Sequence, residues 1–317
     1  MSSLVPGFAQ RYPRIDDDEA FWRDFERQAQ PAAARHPQLD PDRHSRLDPA
    51  RHSRLDPDRH SRLDRESRLD RESLLIESCC TTLDEALAAE ARGADRIELC
   101  TDLSVGGLTP PRDLIRETVA RLSIPVNVLI RPASDSRPAS EHPSGLASDR
   151  HARPASDRHA RLDRASLPSL GGFSALDFVY GENALNQMES DIAFCRSTGA
   201  AGVVVGALTP DGAIDLPAMR RLVAAAGPLS VTFHRAFDVC SVDPYQAVDQ
   251  IISLLCTRLL TSGMAPTAWE GRELIARLVR HAGDRLIIMP GSGVRPDNLA
   301  ALAAATSAPE FHGTAIP

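Results

Sequence analysis

AGVVVGALTPDGAIDLPAMRRLVAAAGPLSVTFHRAFD, residues 201–238, holds the pattern that decides the fold. It opens on a valine run that is apolar at nearly every position and turns at Asp211-Gly212. It continues as IDLPAMRRLVAAAG, with apolar residues at helical spacing, and closes on a second apolar run, LSVTFHR. A strand that is apolar on both faces is buried on both faces. A helix between two such strands is the crossover that parallel neighbours require.

The same unit recurs on either side. Strand-like runs are LLIESC (74–79), ADRIELC (94–100), IPVNVLIR (124–131), AGVVVGAL (201–208), LSVTFHR (229–235), RLLTS (258–262), DRLIIMP (284–290) and PEFHG (309–313). Helical stretches lie between them: TLDEALAAEARG, NALNQMESDIAFCRSTG, IDLPAMRRLVAAAG, DPYQAVDQIISLL, AWEGRELIARLVRHAG and RPDNLAALAAATS. Several end in Gly directly before the next strand, as helix C-terminal caps do. Eight strands alternating with helices are the number that closes a barrel. No GxGxxG follows the first strand, which argues against an open, doubly wound sheet. The expected fold is therefore α/β, a (β/α)8 TIM-type barrel over residues 74–317. Only TAIP follows PEFHG, so the expected barrel lacks its last helix. The segment DDDEAFWRDFERQAQ (16–30) is a helix candidate whose Phe21, Trp22 and Phe25 would cover that seam.

Residues 1–73 are a different material. From Leu39 the chain reads LDPDRHSR, LDPARHSR, LDPDRHSR, LDRESR and LDRES, with one leucine and several charges per unit. Such a segment buries too little apolar surface to offset its ordering entropy, so this arm is expected to be mostly disordered. A stretch of the same kind, beginning ASDSRPASEHP, interrupts the globular part as an insertion at 133–170. Seven of the ten histidines (36, 44, 52, 60, 142, 151 and 159) lie in or beside these stretches. They read as products of repeat expansion rather than as a ligand set, which leaves His234, His281 and His312 to the globular part.

Composition bounds the function. The net charge of −7 gives no general attraction to phosphate backbones or anionic lipid. The aromatic share of 4% is low for a stacking-based nucleic-acid binder. No run of about 18 apolar residues is present to span a bilayer, and the N-terminus has no basic-then-apolar order of a secretory signal. The expected address is the cytosol. Six cysteines, at 79, 80, 100, 195, 240 and 256, show no CxxC and are expected to be free thiols.

In barrels of this kind the chemistry sits at the C-terminal strand ends. Strand one holds Glu77 and Cys79, two apart and so on one face; strand two repeats the spacing with Glu98 and Cys100. An acid inside such a strand is costly unless paired or functional. Strand three ends in Arg131, strand five in His234-Arg235 with Asp238 following, and strand six in Thr261-Ser262. Strand eight holds Glu310 and His312. The loop PGSGV (290–294) supplies Gly291 and Gly293, whose backbone N–H groups are candidates for holding an anion.

ADRIELC, GGLTP, VLIRP, VVVGALTPDGAID, VTFHRAFD, LTSG, MPGSGV and EFH, in this order, resemble the CutC family. The resemblance covers residues 74–315 apart from the insertion. It implies a (β/α)8-like barrel, a cytosolic protein and a link to copper tolerance. It also implies that Glu77, Glu98, Arg131, His234, Arg235, Asp238 and His312 line the mouth, and that copper binding falls to Cys79 and Cys100.

Two functions follow as expectations. The first is a copper homeostasis protein that binds Cu(I) in the cytosol, with Cys79 and Cys100 as soft thiolate ligands. The alternative is a barrel enzyme, of lyase or hydrolase type, acting on a small anionic molecule. There Glu77 or Glu98 is the base, His234 the acid, and Arg131 or Arg235 the anion clamp, with Asp238, Ser262, Gly291, Gly293 and His312 completing the site. The expected partner is a metal ion or a small anion, not nucleic acid or membrane, and a homo-oligomer is compatible with both readings. Glu77→Ala and His234→Ala are expected to remove any activity while leaving the barrel folded.

Overall fold

In the computed structural model, which describes residues 74–133, 169–170 and 172–314, the valine run is a strand whose four residues are all buried. The order is β1 (Leu75–Cys80), α1 (Leu83–Ala91), β2 (Arg96–Leu99), α2 (Arg112–Arg121), β3 (Val126–Leu129), α3 (Glu182–Thr198), β4 (Gly202–Val205), α4 (Leu216–Ala226), β5 (Ser230–Phe233), α5 (Pro244–Ser253), β6 (Arg258–Thr261), α6 (Arg272–Ala282), β7 (Ile287–Pro290), α7 (Leu299–Thr306) and β8 (Glu310–Gly313). All eight strands form one parallel sheet in the order β8-β1-β2-β3-β4-β5-β6-β7. β7 and β8 lie side by side without a hydrogen-bonded ladder among the described residues, so the barrel is nearly closed. No helix follows β8 among the described residues, and none is long and apolar enough to cross a membrane.

Local chemistry sets the helix boundaries. Asp215 caps α4 by accepting from the Ala218 N–H at 2.9 Å, and Asp243 caps α5 by accepting from Tyr245 and Gln246. Each is followed within two residues by a proline, whose missing N–H costs nothing in a first turn. Gly199 ends α3 with φ +82°, a left-handed conformation that glycine adopts without strain. Helix α2 is absent from the sequence reading. Its start lies directly against Pro110-Pro111, and its charged run masks a buried stripe of Ile115 and Thr118.

The two faces of each strand have different partners. Val126, Val128, Val203, Val205, Phe233, Leu259, Ile288 and Phe311 join the large apolar cluster that includes Ile115, Ile192, Leu222, Ile251 and Leu278 of the surrounding helices. Each such side chain contributes about 1.5–3 kcal/mol by leaving water. The opposite face holds Glu77, Arg96, Glu98, Asn127 and Glu310, all buried. Their ion pairs and hydrogen bonds join strands that are not neighbours: Arg96 on β2 with Glu310 on β8, Arg258 on β6 with Glu310, and Asn127 on β3 with Glu77 on β1. Only contacts across the barrel interior can do this.

Between β3 and α3 the described chain includes an antiparallel pair of two-residue strands, Ser169–Leu170 with Phe173–Ser174, and a 3-10 turn at Ala175–Phe178. The candidate helix at 16–30, the arm at 1–73 and most of the insertion at 133–170 lie outside the described residues.

Candidate functional site

The strand register builds the interior site. Glu77 stands opposite both Arg96 and His312, and Cys79 stands opposite Glu98. The Glu77 carboxylate accepts from Arg96 Nε at 2.5 Å and from Asn127 Nδ2 at 3.0 Å, and lies 2.9 Å from His312 Nδ1. Arg96 also donates to Glu310 at 2.7 Å, as does Arg258. Burial alone would raise the Glu77 pKa. Arg96 and His312 outweigh it and bring the group down to about 2.

Glu98 is in a different state. Its Oε2 is buried without a hydrogen-bond partner and lies 3.8 Å from His312 Nδ1. Burial pushes this carboxyl up to about 7, with Glu77 adding to the effect and His312 and Arg96 opposing it. For His312 burial works against the charge, but Glu98 and Glu77 hold the imidazolium above its ordinary range. Of the two acids named from the sequence, Glu77 is committed to its partners and Glu98 keeps an unused oxygen.

Cys79 and Cys100 meet beside Glu98. Their sulfurs are 3.4 Å apart, and both residues are free thiols. They form a small interior cluster with Leu129 and Val204. The hydrogen bond to Cys100 and burial keep the Cys79 pKa well above the ordinary thiol value. Donor atoms of Cys79, Glu98 and His312 all lie within 4.8 Å of one another.

A second group sits at the strand ends. Arg131 follows β3 and His234 follows β5. Asp238 accepts from the N–H groups of Ser262 and Met264, from the hydroxyls of Thr261 and Ser262, and from Arg235 Nε at 2.9 Å. Every acceptor direction of this carboxylate is taken. Asp238 therefore holds the loop after β6 against Arg235, which also reaches Ser262 at 3.1 Å. His234 is packed against Phe178, and burial, then Arg131, lower its pKa to about 3. It is a neutral imidazole at physiological pH.

That state has a sign that can be checked. An unfolded histidine takes up a proton as pH falls through about 6.5, and the folded chain does not until about 3. The folded state thus loses several kcal/mol of stability over that window. Urea titrations at stepped pH are expected to show a shallower acid loss for His234→Phe than for the parent chain. Equal slopes would mean that His234 is protonated in place. Gly206 is tied to the same ring: a Cβ there would lie 2.4 Å from His234 Nδ1. Gly206→Ala is expected to cost about 1–3 kcal/mol in the same assay.

Gly291 and Gly293 occupy the loop after β7. The Gly291 N–H extends the sheet to Thr261 and is thereby used, while its Cα faces the His312 ring. The Gly293 carbonyl accepts from Asn298 at 2.9 Å. Arg96, Asn127 and Arg258, which hold the interior acids, and Phe173, Phe178 and Tyr180 at the mouth are not among the residues that the sequence points to. Arg96 has a sequence signal all the same: it lies two residues before Glu98 on the same strand face.

The CutC family model matches residues 74–136 and 174–317. The chain belongs to the CutC family. Among CutC relatives, a family protein of Chromobacterium violaceum is 39% identical over 241 residues, covering 76% of this chain and 81% of the relative. One from Parabacteroides distasonis is 42% identical over 242 residues, covering 76% and 82%. The chain also resembles the crystal structure of a candidate copper homeostasis protein, CutC, from Streptococcus agalactiae. The identity there is 29% and the TM-score 0.60, over 77% of this chain and 100% of that one. The CutC match leaves out residues 137–173.

Proposed function

We propose that this chain is a copper homeostasis protein that takes up copper as Cu(I) at Cys79 and Cys100 and works in the cytosol. The observation that carries the reading is the pair of thiols 3.4 Å apart inside the barrel, with Glu98 and His312 donors within 4.8 Å of Cys79. Cu(I) prefers soft thiolate sulfur. Two thiolates sharing one tetrahedral ion at metal–sulfur distances of about 2.3 Å stand roughly 3.8 Å apart. The thiols therefore need to separate by only a few tenths of an ångström, and the nearby carboxylate and imidazole are placed to complete the shell. All six described cysteines are free thiols, the state that a reducing compartment maintains. Membership of the CutC family and the name of the Streptococcus agalactiae protein support the same reading.

The contribution of the non-sulfur donors is separable. Competition for Cu(I) against a chelator of known affinity is expected to show about tenfold weaker binding for His312→Gln. Unchanged affinity would confine the copper to the two thiols.

A further inference from the structure

At the mouth of the barrel, around Arg131, hydrogen-bond donors are left without acceptors among the described residues. Arg131 is 5% exposed. Its Nη1 donates to the carbonyls of Val105 and Gly107 at 2.8 and 2.7 Å, while its Nε is buried without a partner. Among the described residues no carboxylate pairs with it. What faces its charge instead is two aromatic rings, Phe173 at 5.4 Å and Phe178 at 5.1 Å from the guanidinium carbon.

The neighbours add donors rather than acceptors. His234 Nδ1 accepts from the Ala236 N–H at 3.2 Å, which assigns the ring proton to Nε2. That Nε2 is buried without a partner. The His234 ring stacks at 5.0 Å on Phe178, the same ring that carries Arg131. The buried Tyr180 hydroxyl faces the Arg131 side chain, and its own O–H meets no acceptor among the described residues. A buried cation without a counter-ion is costly, and unanswered buried donors add to that cost. A ligand bringing negative charge and several acceptor oxygens satisfies all of them together.

We infer that Arg131, His234 and Tyr180 form a second binding site, which takes the oxyanion group, carboxylate or phosphate, of a small molecule. Arg131 supplies the charge. His234 and Tyr180 supply neutral donors that fix the oxygens. Phe173 covers the site: its ring lies between Arg131 and Arg235, with the Arg235 guanidinium 5.8 Å from its centre. The ring rests on the backbone at Gly106, where a Cβ would lie 1.9 Å from it. Phe173 lies just before the CutC match resumes at residue 174.

The test is calorimetric titration of the full chain with inorganic phosphate and with malonate, using sodium chloride at matched ionic strength as the reference. The expected result is saturable one-to-one binding of at least one oxyanion. It should weaken at least tenfold in Arg131→Met, weaken several-fold in Tyr180→Phe and His234→Phe, and stay unchanged in Cys79→Ser/Cys100→Ser. That last variant separates this site from the copper reading. No saturable binding above the chloride reference overturns the inference. Should Arg131→Met fail to fold, the milder variants decide, and undiminished affinity in both Tyr180→Phe and His234→Phe overturns it as well.

Discussion

Arg96→Met is expected to lower the unfolding free energy by about 3–5 kcal/mol, the cost of breaking a buried ion pair by removing one partner. Arg96 holds Glu77 through Nε at 2.5 Å and Glu310 through Nη2 at 2.7 Å, and the three side chains are 5%, 0% and 8% exposed. Without it, among the described residues Glu77 keeps only Asn127 and His312, and Glu310 keeps only Arg258. Methionine fills the space but brings no charge. Urea unfolding with an unchanged slope and a lowered midpoint is the expected observation. A loss under about 1 kcal/mol would mean that water reaches the network and solvates the orphaned acids. The same network changes the expectation for Glu77→Ala. The sequence suggests a variant that is inactive but folded, whereas the structure predicts one that also loses stability, because Arg96 and His312 lose their shared partner.

The second large effect concerns copper. Cys79→Ser with Cys100→Ser is expected to weaken Cu(I) binding at least 100-fold. Serine keeps the size of the side chain but replaces a soft sulfur by a hard oxygen, to which Cu(I) binds poorly. Both cysteines are buried, at 7% and 0% exposure, so the nearly isosteric exchange also keeps the packing with Leu129 and Val204. Chelator competition measures the loss. Undiminished binding would shift the site to the histidine-bearing repeats, where seven of the ten histidines lie.

The barrel is legible in the sequence because its signal is local. Near-continuous apolar runs such as GVVV, helices opened by Asp215 and Asp243, and glycine at helix ends each report their own element. Helix α2 escapes because Arg112–Arg121 is dominated by charge and only two of its residues are buried. Period-two spacing is enough to pair Glu77 with Cys79 and Glu98 with Cys100. It cannot tell which acid is saturated, because that depends on Arg96 and Asn127 arriving from other strands. Asp238 shows the same limit. In HRAFD it reads as a reactive acid, and only the loop carrying Ser262 and Met264 reveals that its oxygens are fully engaged. The arginine without a counter-ion at position 131 is likewise invisible in sequence, since what matters there is a partner that no segment supplies.

Copper held between the two interior thiols would be visible to X-ray absorption at the copper edge of the Cu(I)-loaded full chain. The expected result is one copper per chain, with scattering from two sulfurs and from lighter donors that diminish in His312→Gln. A spectrum of nitrogen and oxygen donors alone, or a chain that retains no copper after loading and desalting, would contradict it.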